Sequence, residues 1–510
     1  MGRDLNRRDF VRLASMTAAT AWLPPRADGG DGQPPGPTTR VRRSVSELDP
    51  NGPEIGTLKA GVAEMKRRST AAMGDRTGWI GQAQIHLDSC PHFNWFFLPW
   101  HRAYLYYFEQ ICRAASNSDD FTLPYWDWTT HPAIPDAFWG GATNPLDHGD
   151  DDPTFPGLHR GRVVAPNQAI SPEFVGPNVI RSIFENPDFV LAIGSDPAPN
   201  PRPNDGVDRG AGILEGTPHN NVHGTIGGDM SDYWSPRDPI FWLHHANIDR
   251  LWALWADRHP GAFPADANYL DFNMQDFFDT AGGPASLTVR QTLNTFDLGY
   301  RYADQRPPGV MMAMAGPPRD IHRPVVQASA KVAGRASRRL PLQVDLPTPP
   351  NVRAGLAAIA TVGEAPPHIF GLAPGAAPGA APGPAVAQPG IARLKIGGFE
   401  KQLPPGAFVR VFLNCDYLSP ETPRDDVHYV GNFSFFGGTA GHGDAQAHDH
   451  TPRGASFYVD ATSTIKALAR ERNFDPARLR IGLVVKPRAG SDIPDQLLDL
   501  KPGQVQVAVI

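Results

Sequence analysis

Residues 214–255 of the 510-residue chain, LEGTPHNNVHGTIGGDMSDYWSPRDPIFWLHHANIDRLWALW, narrow the choice of fold more than any other stretch. Four of the seventeen histidines fall in it. His219 and His223 stand four apart, and Thr217-Pro218 before them predicts a helix start, a hydroxyl cap followed by proline in the first turn. Residues four apart share one face of a helix, so two imidazoles can converge on one metal ion. A second start is predicted at Asp238-Pro239, after which Phe241, His245, Ile248, Asp249, Trp252 and Trp255 recur at helical spacing. A lone histidine on an apolar helix is ordinarily a satisfied core residue. Three on two adjoining apolar helices, with Asp249 one turn beyond the third, point to a metal site.

A second half-site lies upstream in QIHLDSCPHFNWFFLPWHRAYLYYFE, residues 84–109, where His86, His92 and His101 stand among aromatics. The spacing His92-x8-His101, followed by Arg102, Leu105 and Glu109, resembles the copper A motif of the type-3 copper proteins. Asp238-Pro239-Ile240-Phe241 with His245 and Asp249 resembles their copper B motif. That family comprises tyrosinases, catechol oxidases and the oxygen-carrying haemocyanins. The resemblance implies two copper ions, one on His86, His92 and His101, the other on His219, His223 and His245, with O2 as co-substrate. Helical spacing does not separate His244 from His245; the motif chooses His245 and leaves His244 as an outer neighbour. The chemistry agrees, since six imidazoles without a bridging carboxylate suit copper in both of its oxidation states. Zinc on three histidines is the inorganic rival. A di-iron bundle would want Glu-x-x-His pairs, and the sequence has none.

Further roles follow from the same resemblance. Tyrosinases carry a glutamate and an asparagine, here Glu215 and Asn220, that hold a water proposed to take the phenol proton. Taken alone, Asn220 reads as a helix cap and Glu215 as a surface carboxylate. Tyr233 or Trp234 is expected to wall the substrate pocket, and Asp249 to orient a ligand helix or imidazole. A Tyr-x-Tyr pair, Tyr300 and Tyr302, marks the end of the copper domain, with an arginine near its start, Arg43, expected beside it. Of the three cysteines, Cys112 and Cys415 read as buried thiols. Cys90 stands two before His92, where several relatives join sulfur and imidazole in a thioether.

The fold expected is a mostly α catalytic domain, an antiparallel helix bundle with long loops that holds the dinuclear copper site, followed by a smaller β-sandwich. Residues 41–306 form the first. Runs such as LPLQVDL, AFVRVFL, LRIGLVVK and VQVAVI, separated by turn residues, give a sandwich over 341–510. Residues 307–340 read as a linker and 371–390, an Ala/Pro/Gly repeat, as a flexible insertion. The arrangement resembles plant polyphenol oxidases, whose C-terminal domain shields the copper site. His442, His448 and His450 read as a solvated loop of the sandwich. Residues 1–40 resemble a twin-arginine export signal and leader: Arg7-Arg8, Phe10, then a short apolar run.

The function expected is an exported tyrosinase or polyphenol oxidase, which hydroxylates monophenols and oxidises o-diphenols to o-quinones. A catechol oxidase limited to the second step is the near rival. A haemocyanin-like oxygen carrier is more remote, and a dinuclear zinc hydrolase more remote still. The partners are phenolic small molecules, and the copper chemistry admits a protein that delivers the metal. A net charge of −6 without a basic run argues against nucleic acid. No run approaches the ~20 apolar residues of a membrane-spanning helix.

Overall fold

The computed structural model describes residues 39–149, 155, 157–198, 209–305, 326–361, 390–437 and 455–510. The export signal, most of the Ala/Pro/Gly insertion, and His442, His448 and His450 lie outside these residues.

Five helices frame the first region: α1 (Pro53–Ala71), α2 (Trp79–Ser89), α3 (Phe97–Ser116), α4 (Asn220–Ile226) and α5 (Ile240–Arg258). Proline opens α1, where its missing N–H costs nothing. Helix α3 buries Phe97, His101, Leu105, Phe108 and Cys112, a stripe at three- and four-residue steps, so His101 rides on an apolar face. Helix α5 is buried on every side from Ile240 to Asp249, as a central helix must be. Asp238 starts it as expected, its Oδ1 accepting the Ile240 N–H at 3.0 Å.

The two ends of this region meet in a parallel pair of strands, Arg40–Arg42 against Tyr300–Tyr302. The arginine beside the tyrosines is Arg42, with its guanidinium 3.8 Å from the Tyr300 ring centroid. Arg43, expected there, points outward and is about half exposed. Neighbouring strand residues face opposite ways, and a one-residue misplacement changes the face. Arg42 donates to Glu109 at 2.8 Å and to the Tyr302 hydroxyl oxygen at 3.1 Å.

The C-terminal region is two sheets around one core. The first has Tyr429–Phe433, Ala407–Leu413, Leu479–Pro487 and Leu342–Leu346 side by side, all antiparallel. The second runs Arg209–Ala211, Ala455–Asp460, Ala392–Gly397, Gln504–Val509 and Val326–Lys331. Val409, Val411, Leu394, Ile396, Val505 and Val507 from both sheets share the interior. Two of the strands depart from the sequence reading. Val326–Lys331 falls in the expected linker, yet it pairs with Gln504–Val509 along its whole length. Arg209–Ala211 comes from the helical region and extends the second sheet parallel to Ala455–Asp460. Short polar strands of this kind carry almost no signal, because their pairing partner is distant in sequence.

Candidate metal centre

The strand Arg209–Ala211 leads into a wide π-type turn, Glu215–His219, which passes into α4. Pro218 lies inside that turn and has no N–H to give, so the regular i−4 ladder is interrupted there. Thr217 does not cap the helix; its hydroxyl donates to the Asn432 carbonyl of the C-terminal region at 2.6 Å. His219 ends the turn and His223 follows on α4. His245 lies in the first turns of α5, and the His101 ring stacks on it at 4.4 Å. His86 comes from the last turn of α2 and His92 from the loop before α3.

These side chains gather into two buried groups. His86, His92 and His101 place one donor atom each within 4.8 Å of one another, and so do His219, His223, His244 and His245. The rings of His92 and His219 bridge the groups at 5.5 Å.

Acceptors at Nδ1 set the direction of most rings. His86 Nδ1 faces the Tyr233 carbonyl at 2.7 Å, His101 Nδ1 that of Phe97 at 2.7 Å, and His223 Nδ1 that of Met230 at 2.6 Å. His219 Nδ1 faces Asn220 Oδ1 at 2.7 Å. Each such bond keeps the proton on Nδ1 and leaves the Nε2 lone pair for a metal. Nε2 of His101 and of His219 is buried without a hydrogen-bond partner. Nε2 of His223 lies 3.2 Å from Nε2 of His245. His223 Nε2 is the acceptor side of that ring, so His245 Nε2 faces it either with its proton or across a shared cation. Burial pushes the imidazolium forms of His101 and His223 down to about 3, and holds those of His219 and His245 well below the ordinary histidine value. The rings are neutral nitrogen donors, and the set fits copper.

His244 differs. The Trp128 indole N–H donates to its Nδ1 at 3.2 Å, which puts the His244 proton on Nε2. Asp249 touches no imidazole among the contacts described. It pairs with Arg102, accepts the Tyr300 and Tyr302 hydroxyls at 2.7 and 2.6 Å, and thereby fastens α5 to α3 and to the closing strand.

The C-terminal region completes the walls. Phe436, which nothing in the sequence singled out, is 2% exposed and lies over the histidines. Its centroid is 4.4 Å from that of His92, 4.7 Å from His223 and 5.7 Å from His219. Tyr233 stands beside it at 5.3 Å and beside His92 at 5.4 Å. Trp234 instead stacks on the Arg237 guanidinium, 3.6 Å from its ring. The Asn220 amide donates to the Ser434 carbonyl at 2.7 Å, so both of its ends are engaged. Glu215 is buried and accepts the Phe93 N–H at 2.7 Å; burial pushes its carboxyl up to about 8. Phe93 has a φ of 56°, which an aromatic residue rarely adopts, and its ring enters the sandwich core against Phe457 at 5.4 Å. Cys90 Sγ lies 3.5 Å from His92 Nδ1.

The family model described as the common central domain of tyrosinase matches residues 62–196 and 195–258. A chloroplast polyphenol oxidase of Spinacia oleracea is 30% identical over 53% of this chain and 48% of its own length. The chain thus spans about half the length of that relative. A tyrosinase of Streptomyces glaucescens is 35% identical over 39% of this chain and 78% of its own. Among solved structures, latent apple tyrosinase aligns with 94% of this chain and 99% of its own, at 21% identity and a TM-score of 0.61. That likeness shows the fold, with helical and sheet regions together.

Proposed function

The chain belongs to the tyrosinase family of type-3 copper proteins, whose centres hold two copper ions, and from that premise we propose that it is a latent phenol oxidase. The observation that carries the reading is the pair of buried imidazole groups with their Nε2 atoms turned inward. His86, His92 and His101 hold one copper, and His219, His223 and His245 the other. The Trp128 bond to His244 Nδ1 supports leaving His244 out, since its Nε2 carries the proton. When bound, the copper pair supplies the activation of O2 and the oxidation of the phenol.

The chain's own residues do the rest. A phenol ionises near ~10, so at neutral pH its proton needs an acceptor. Glu215 and Asn220 hold a water that takes it, which equips the site for monophenols as well as o-diphenols. Neither is ready in the docked arrangement, because Asn220 is spent on Ser434 and Phe436 fills the space above the rings. The sandwich is therefore a shield, and activity requires its displacement. Tyr233 walls the pocket, its carbonyl orienting His86. The closeness of Cys90 to His92 supports a thioether between them, the two hydrogens lost passing to O2.

The N-terminal segment carries the protein out of the cell as a twin-arginine signal. Among the described residues, no helix is long and apolar enough to cross a membrane.

The test uses copper-loaded protein cut by a protease within residues 306–325, ahead of the sandwich strand Val326–Lys331. Turnover of bulky diphenols rises and monophenols are hydroxylated once a trace of diphenol removes the lag. Diphenol oxidation with monophenols untouched makes the chain a catechol oxidase. An unchanged rate after the sandwich has separated, at full copper, removes the shielding role. Peptide mapping that finds Cys90 freely alkylated in active enzyme removes the thioether.

A further inference from the structure

Apart from the six imidazoles and His244, one other group of side chains converges as tightly among the described residues. His148, His159 and Asp229 each offer a donor atom, all within 4.8 Å of one another. Their side chains are 0%, 1% and 0% exposed. His148 Nε2 lies 3.1 Å from Asp229 Oδ2, and His159 Nδ1 lies 3.5 Å from the same oxygen. The two rings stand nearly perpendicular, 4.7 Å apart.

The ordinary account would be a buried ion pair, and the distances argue against it. Charge-assisted N–H···O bonds close to ~2.7–2.9 Å. Here both contacts are longer and crowd one oxygen, which also faces the Arg160 backbone N–H at 3.3 Å. Around a tetrahedral zinc ion with bonds of about 2.0–2.1 Å, neighbouring ligand atoms stand ~3.3 Å apart. The observed 3.1 and 3.5 Å fall on either side of that value. Arg160 approaches the other oxygen, Oδ1, at 3.5 Å, but its Nη2 is bound to Asp232, which offsets its charge.

We propose that His148, His159 and Asp229 bind a third metal ion, a zinc-type divalent cation with water at its open position, separate from the copper pair. Two imidazole nitrogens and a carboxylate oxygen without sulfur form a donor set that zinc accepts. The ion ties the chain around His148 and His159 to the turn at Asp229. The next residue, Met230, offers the carbonyl that holds His223 Nδ1 at 2.6 Å. Its work is structural, and it does not depend on which phenols the enzyme takes.

The experiment is a metal count on copper-loaded full-length protein given one equivalent of zinc and passed through gel filtration. One zinc per chain remains with both coppers, and its X-ray absorption spectrum contains nitrogen and oxygen neighbours only. His159→Ala keeps both coppers and loses zinc affinity by more than ~100-fold, since even changes outside the ligand shell cost 10- to 100-fold. Wild-type protein with full copper that retains no zinc overturns the proposal, and so does zinc retained equally by His159→Ala. If that variant does not fold, the wild-type count and spectrum decide alone.

Discussion

The helical region and the sandwich both bury an apolar core, but only the first threads a network of charged and polar groups through it. Around α3 and α5 an apolar core also holds buried polar groups in pairs: Arg42 with Glu109, Arg102 with Asp249, two tyrosines on Asp249, and the imidazoles of His86, His101 and His223 on carbonyls. The sandwich interior is an alternation of aliphatic and aromatic side chains, as in Leu342–Leu346, where every second residue is buried. In the first, the buried polar side chains depend on named partners; in the second, volume and pattern suffice. Where the two meet over the histidines, the sandwich offers the carbonyls of Asn432 and Ser434 and one ring, Phe436, while side-chain pairs such as Arg410 with Glu173 and Arg488 with Asn221 hold the contact around them. Substitution in the helical region should therefore remove activity or stability. Substitution of Phe436, where the sandwich covers the histidines, should release activity.

The largest effect is expected at Asn220. Asn220→Leu leaves no polar atom to hold the water beside His219, and a positioned base contributes ~10²- to 10⁴-fold. Monophenol turnover of the activated enzyme should fall by that order while diphenol turnover falls much less, because catechols lose protons more easily. Copper content is the control, since Asn220 also faces His219 Nδ1. Equal loss of both activities at full copper would deny it the proton-accepting role.

Asp249→Asn comes next and tests the paired interior. It leaves Arg102 and Arg42 buried without their shared carboxylate, a change that costs about 3–5 kcal/mol. Chemical denaturation should register that loss. A cost under ~1 kcal/mol would mean the network contributes no more than an exposed ion pair does.

How far the sequence reached follows the same division. His219 and His223 were legible from helical spacing, whereas His86, His92 and His101, and the choice of His245 over His244, came from the resemblance; the structure brings the donor atoms of each group together. Arg42 was placed one residue off, since a three-residue strand has too little periodicity to fix its face. Thr217 read as a cap because local chemistry favours it; a distant carbonyl, that of Asn432, took the hydroxyl instead. The sandwich was visible as a class, from its alternation, but Val326–Lys331 was hidden among prolines and arginines. Phe436 was out of reach, because YVGNFSFFGG reads as a strand running into a turn, and no local pattern says which ring meets the histidines.

Phe436→Ala tests the sandwich side, and its effect has the other sign. Removing a ring that packs on His92, His223 and Tyr233 weakens docking, and each ~1.4 kcal/mol lost opens the site tenfold more often. Uncleaved protein should oxidise small diphenols at least ~10-fold faster, with copper and secondary structure unchanged. If only cleaved protein is active in both wild type and variant, the ring is a filler and the shield lies elsewhere.

The smallest effect sets two buried glutamates against each other. Burial opposes ionisation of Glu109, but Arg42 and Arg113 outweigh it and hold its carboxyl below the ordinary value of 4.5. The stability Glu109 contributes is present above that value and is lost as pH falls. Glu215, at the meeting of the two regions, has the reverse sign. Its carboxyl is raised to about 8 by burial, with only the Phe93 N–H to oppose the shift. A pKa raised on folding means that the docked form holds the proton more tightly. The stability this contributes is full below 4.5 and is lost as pH rises through about 8. Alkaline conditions should thus loosen the shield by ionising a carboxyl that water must then reach. Thermal midpoints of the uncleaved protein should fall between about pH 6 and pH 9, accompanied by a few-fold rise in latent activity. Glu215→Gln keeps an acceptor for the Phe93 N–H and cannot ionise, so its midpoint should fall less over the same range. Parallel curves for the two proteins would assign the alkaline loosening to some other group.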